Sequence, residues 1–244
     1  MDVKTACLGS YIEDIHYGSS IYRFFNKVFD QGITHLPPQL ESKRINRILL
    51  YPGCFNPPHL GHEALLRHTF SKSQGINVIA AIVIPLDDDR VEAKCRAEGS
   101  NLYFNKDQRV RIWKGCGFHD WFWVYDRSIK EWESFRRQLT DTITRDGFDI
   151  RFVLLCGPDY IQRDIPLPWN AWDCDEIIVS NISRPADFIT SGGMLMNLKD
   201  CGGWKQVMLD DKEATRYTTR RAAFFGSAMS RITPTWLREI QESG

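Results

Sequence analysis

Two histidines three residues apart, His59 and His62, stand where an apolar run gives way to a helical pattern. At that spacing both imidazoles can lie on one face of a helix's first turn. First-turn N–H groups have no partner within the helix, and the macrodipole adds partial positive charge there. Two imidazole donors beside such N–H groups suit a phosphate. Gly61 between them lets a ligand come close to the backbone. Taken alone, two such histidines fit a plain strand-to-helix turn with capping side chains better. The full string Gly53-Cys54-Phe55-Asn56-Pro57-Pro58-His59-Leu60-Gly61-His62 is far more specific than either histidine.

The flanking elements decide where that string sits. Residues 48–51 are a short apolar run closed by Pro52-Gly53, the pattern of a central strand. Asn56-Pro57-Pro58 keeps the following chain extended, because proline biases its predecessor away from the helical region. Leu60, Ala64, Leu65 and Phe70 then share one side of a helix. Residues 77–85 are a continuous β-rich run of the kind buried on both faces of a parallel sheet. Strand, helix and strand make a right-handed βαβ unit. The histidine turn therefore lies at the carboxyl end of the sheet, where doubly wound folds bind ligands.

Downstream, residues 86–105 are polar and read as a solvated loop. Residues 106–113 read as a helix with Val110 and Trp113 inward; Arg109 and Arg111 face either a phosphate or solvent. Residues 120–124 form an aromatic strand with Trp121 and Trp123 in the core. A helix starting around residues 131–135 runs to about Arg145. Residues 150–156 and 177–180 are further buried strands. Residues 204–209 form a last strand, and residues 216–221 are basic without an assignable role. Upstream, Ile21, Phe24, Phe25, Val28 and Phe29 repeat at helical spacing near residues 18–30. That stripe covers part of the core, with a homo-oligomer contact as the sharper alternative. Residues 1–45 thus read as a helical extension and linker, and residues 46–244 as one α/β domain.

Bulk properties narrow the class. Lysine plus arginine and aspartate plus glutamate are 31 each, so the formal net charge is zero. That balance gives no support for a nucleic-acid or membrane surface. The 43% hydrophobic and 12% aromatic fractions belong to a globular chain. Seven scattered cysteines with no C-x-x-C pair fit reduced thiols, hence a cytoplasmic or nuclear location. No secretory signal, membrane span, Walker A lysine motif, G-x-G-x-x-G or H-E-x-x-H is present.

The string from Gly53 to His62 resembles the signature of the HxGH nucleotidyltransferase superfamily. Its Phe-Asn-Pro form most resembles nicotinamide or nicotinate mononucleotide adenylyltransferases. Residues 232–238, Ile-Thr-Pro-Thr-Trp-Leu-Arg, resemble that family's Ile-Ser-Ser-Thr-x-Ile-Arg. Physically, Thr233 can cap a helix, Pro234 suits its first position and Thr235 offers a hydroxyl and an N–H. Arg238, one turn on, can reach the same anion. Pro234 departs from the family's serine and removes two donors.

The resemblance implies a Rossmann-like, doubly wound, mostly parallel sheet with helices on both faces. It implies adenylyl transfer from ATP, carried with Mg²⁺, to a pyridine mononucleotide, with pyrophosphate leaving. It makes His59, His62 and Arg238 catalytic. It gives ATP Gly53, Phe55, Asn56, Gly61, Gly157, Asp159, Thr233 and Thr235 together with those three. It gives the mononucleotide Cys54, Phe55, Lys94, Trp132, Trp169 and Arg184. Trp132 would stack on the pyridine ring, a physically apt pairing of an indole face with a flat cation. Alternatives are a cytidylyltransferase joining CTP to a phosphorylated alcohol, a nucleotide sensor without transferase activity, and a nucleotide hydrolase. Asn56, where the cytidylyltransferases usually have aspartate, and the tryptophans near the second pocket argue against the first.

Overall fold

In chain order the elements are β1 (Thr5–Cys7), α1 (Leu8–Tyr17), β2 (Gln39–Glu41), β3 (Ile45–Gly53), α2 (Leu60–Lys72), β4 (Val78–Pro85), α3 (Asp88–Ala97) and α4 (Lys106–Lys114). They continue with β5 (Phe122–Val124), α5 (Ile129–Arg145), β6 (Asp149–Cys156), β7 (Glu176–Val179), β8 (Lys205–Leu209), β9 (Glu213–Tyr217) and β10 (Ala222–Phe224). The computed structural model describes residues 3–18, 28–29, 36–115, 119–157, 160–161, 171–182, 186–191, 194–199, 205–209, 213–217 and 222–224. β1 and β2 pair antiparallel. The large sheet has the order β5-β4-β3-β6-β7-β10-β9-β8. Pairs β4–β5, β6–β7 and β7–β10 are parallel, while β9–β10 and β8–β9 are antiparallel. This is the expected α/β, Rossmann-like architecture. The chain divides into two compact units, Met1–His59 with Ile79–Arg151, and Leu60–Val78 with Phe152–Gly244.

In the first unit β3 is buried from Asn46 to Tyr51 and β4 from Ala80 to Pro85, as continuous apolar runs require. Asn46 is wholly buried and fastens the turn before β3. Its side chain accepts from Glu41 N and donates to the carbonyls of Glu41, Arg44 and Asp149. α5 carries the amphipathic period in Trp132, Phe135, Arg136, Leu139 and Ile143. The Ser128 hydroxyl caps it by accepting from Lys130 N at 3.2 Å. Gly147, with φ of 88°, turns the chain out of it in a left-handed conformation. The expected helix near residues 18–30 falls largely outside the described residues. There, Val28 and Phe29 are buried in a bend. α1 ends at Tyr17, and its Tyr11 hydroxyl donates to Asp146 beyond the end of α5 at 2.6 Å.

Residues 86–105 correct the sequence reading, because ten of them form α3 rather than a loop. Charge density hid the helix, yet the charges are ordered as a helix prefers. Asp88 and Asp89 lie in its first turn, Lys94 and Arg96 in its last. Val91 and Cys95, four apart, are its buried face.

His16 of α1 is buried among Tyr17, Trp123, Tyr125 and Phe135, and its Nε2 lies 2.8 Å from Asp126 Oδ1. Burial alone would raise the Asp126 carboxyl, but His16 and Lys114 outweigh it and bring the carboxyl down from 3.8 to about 2. A lowered folded pKa stabilises above the unfolded value and loses that contribution as pH falls through the folded one. Asp126→Asn is therefore expected to cost about 2 kcal/mol near neutrality. The gap from wild type should close as pH drops from about 4 towards 2. Urea unfolding across that range measures it; a constant gap would remove the ionic explanation.

In the second unit α2 buries Leu65, Leu66, Thr69 and Phe70. Leu60 is 82% exposed and Ala64 is exposed, so the expected apolar side is rotated by one position. β6 is buried from Phe152 to Cys156 and β7 throughout. The strand expected at residues 204–209 is β8, but it is not the last. β9 and β10 follow, and β10 continues the parallel sheet with Ala222 opposite Ile177.

Candidate active site

In the first unit β3 stops at Gly53 and the chain runs through Cys54-Phe55-Asn56-Pro57-Pro58 to His59. The Asn56–Pro57 peptide is cis, and Phe55 takes a φ of 45°. The buried Phe55 ring folds back and stands edge-on to Tyr51 and Trp113, at 5.0 and 5.1 Å between centroids. A Cβ on Gly53 would come within 2.7 Å of that ring. Glycine at 53 is thus explained by packing within the loop itself. Leu86 N donates to Gly53 O at 3.0 Å and ties the carboxyl end of β4 to that of β3.

Asn56 is turned into the protein. Its Oδ1 accepts from Phe104 N at 2.7 Å, and its Nδ2 donates to Leu102 O at 3.2 Å and to Cys95 Sγ at 3.1 Å. These bonds give Asn56 a structural role: it clamps the segment between α3 and α4 onto the loop. Arg109 faces neither phosphate nor solvent. It is fully buried, and its guanidinium reaches Phe104 O, Cys54 O and Asp88 Oδ1. Sequence reasoning missed Asp88 as a partner. The two lie 21 residues apart, and no local period links them.

Lys94 projects from the exposed side of α3, 3.8 Å from Glu98. Burial pushes the Cys54 thiol up, and the positive charges of Lys94 and Arg109 partly oppose it. Trp132 requires a correction. Only 3% of it is exposed, and it packs edge-on to Tyr125 at 5.2 Å and tilted on Phe135 at 5.6 Å. The α5 period places it in the core, and a stacking surface for a pyridine ring is not on offer there. Trp121 and Trp123 are buried as expected. At the carboxyl end of β4, Asp87 accepts from Lys106, Ser128 Oγ and Ile129 N. Burial would raise its carboxyl, but those donors hold it below the usual range.

In the second unit Gly61 and His62 lie in the first turn of α2, both half-buried. His59, the residue before that helix, is exposed. Gly157 follows β6 directly and is half-buried. Asp159, Trp169, Arg184, Thr233, Thr235 and Arg238 lie outside the described residues. Among the described residues no cluster of three or more His, Cys, Asp or Glu side chains could hold a metal ion, and no helix is long and apolar enough to cross a membrane. None of the five described cysteines is in a disulfide.

His62 thus occupies the helix turn whose N–H groups and dipole favour an anion, three residues after the exposed His59. The family model described as Cytidylyltransferase-like matches residues 50–181, more than half of the chain. The match runs from β3 to just past β7 and stops short of Arg184 and residues 232–238. No curated protein matches the chain.

Proposed function

The chain belongs to the cytidylyltransferase-like family, and on that premise we propose that it transfers the adenylyl group of Mg²⁺-ATP to nicotinamide or nicotinate mononucleotide. Nucleotidyl transfer is the activity class of the domain. The adenylyl and pyridine specificity is the finer reading. The observation that carries it is the unbroken string from Gly53 to His62, with Phe55 and Asn56 each built into the loop by specific contacts.

The 5′-phosphate of the mononucleotide attacks the α-phosphorus of ATP, the bond to the β-phosphate oxygen breaks, and pyrophosphate leaves. A dinucleotide forms. Positioning and charge stabilisation carry such a reaction, with little covalent work for the protein. Two phosphates brought together repel. His59, His62, the start of α2, Arg238 and the magnesium carried by the substrate offset that repulsion. Lys94, exposed on α3, is the basic side chain this reading assigns to the phosphates. The second reading is cytidylyl transfer to a phosphorylated alcohol. Burial of Trp132 favours it to a degree, since one aromatic partner for a pyridine ring is withdrawn.

Incubation with Mg²⁺, ATP and nicotinamide mononucleotide is expected to yield NAD, read through a coupled dehydrogenase. Parallel mixtures contain nicotinate mononucleotide, or CTP with phosphoethanolamine. Product in the CTP mixture alone would replace the adenylyl reading with the cytidylyl one. ATP binding without product in any mixture would leave a sensor.

A further inference from the structure

We infer that Arg109 is a positioning residue for nucleotidyl transfer: its buried guanidinium sets the backbone of the loop that carries His59. The inference rests on the transferase reading above. Arg109 joins three separate pieces of chain. Nη1 donates to Cys54 O at 2.9 Å in the loop, Nε to Phe104 O at 2.8 Å before α4, and Nη2 to Asp88 Oδ1 at 2.7 Å at the start of α3. A buried charge persists only when paired and hydrogen-bonded, and Asp88 supplies the counter-charge.

The Cys54 carbonyl is the group immediately before Phe55, whose φ of 45° is rare for a bulky side chain. Such a conformation is kept only where the surroundings over-determine it. Here Arg109 holds the carbonyl on one side, Tyr51 and Trp113 hold the ring, and Asn56 holds the next residue. The planar fork of a guanidinium reaches three acceptors in fixed directions; a lysine ammonium is a point donor on a flexible stem and does not reproduce them. Arg109 touches no reacting atom. Its effect on catalysis runs through the direction in which the loop delivers His59.

The test uses Arg109→Lys in the full chain, with two readouts. Cys54 alkylation by iodoacetamide, mapped by peptide mass, reports the loop without substrate. It is expected to speed up about tenfold as the half-buried thiol becomes accessible. Steady-state kinetics are expected to show kcat lowered about tenfold with KM for ATP nearly unchanged, the split that misplacement produces. Guanidinium chloride at low concentration is expected to restore part of the activity of Arg109→Ala. Wild-type alkylation and wild-type kcat in Arg109→Lys would overturn the inference. Should that variant fail to fold, Asp88→Ala removes the counter-charge from a half-exposed position. It is expected to move both readouts the same way, and no change in either would overturn the inference equally. If the wild-type chain transfers no nucleotide while alkylation responds as stated, the transferase reading fails and the hold of Arg109 on the loop stands.

Discussion

His62→Ala is expected to lower kcat by about a hundredfold to a thousandfold, the loss usual when a preorganised donor to developing charge is removed. His59→Ala is expected to act mainly on KM for the triphosphate. The two imidazoles differ in setting. His62 is half-buried in the first turn of α2, where the helix dipole already favours an anion. A donor partly removed from water interacts more strongly with charge that appears during transfer. His59 is exposed and precedes the helix, so water competes with it and its contribution is closer to simple ground-state binding. Steady-state kinetics of both variants at saturating and limiting ATP separate the roles. Equal losses in kcat would refute the division.

Apolar patterning made the framework legible. β3, β4, β6 and β7 all lie where continuous Ile, Leu and Val runs put them, because a strand buried on both faces has no other composition available. α3 was not legible. Its period rests on Val91 and Cys95 alone, and the intervening charges look like a solvated loop until their helical order is seen in three dimensions. β9, Glu-Ala-Thr-Arg-Tyr, has no apolar run like that of β8, and β10 is only three residues long.

At the candidate site the division falls differently. The string from Gly53 to His62 is local and could be read as a string. The partners of Asn56 could not, because they come from 39 to 48 residues away, nor could Cys54 and Asp88 as partners of Arg109, 55 and 21 residues away. Both residues belong to side-chain types that bind nucleotides elsewhere, so type and proximity to the motif pointed towards a ligand. Their contacts point inward instead. Trp132 shows the same limit from the other side: a Trp-Glu pair suggested stacking, but the α5 period had already committed its ring to the core.

Asn56→Asp is expected to lower the unfolding midpoint by about 4–8 °C, from about 2 kcal/mol of lost stability. It is also expected to lower kcat/KM about a hundredfold by releasing the loop. The exchange is nearly isosteric, so the chemistry of one group carries the effect. The amide is oriented by its partners, not by choice of placement: Phe104 N needs an acceptor opposite it, and Leu102 O needs a donor. Aspartate satisfies the first. It turns an anionic oxygen towards the Leu102 carbonyl and Cys95 Sγ, where the amide had donated. Repulsion there pushes the α3–α4 segment away from the loop, and with it the Phe104 carbonyl that Arg109 also binds. Thermal unfolding at pH 8 and again near pH 4 tests the cause. Protonation of the new carboxyl gives back a donor, so the deficit should shrink at the lower pH. A deficit independent of pH would mean that shape, not the donor, is what the position demands. Asparagine at 56 would then lose its bearing on which nucleotidyl transfer this loop is built for.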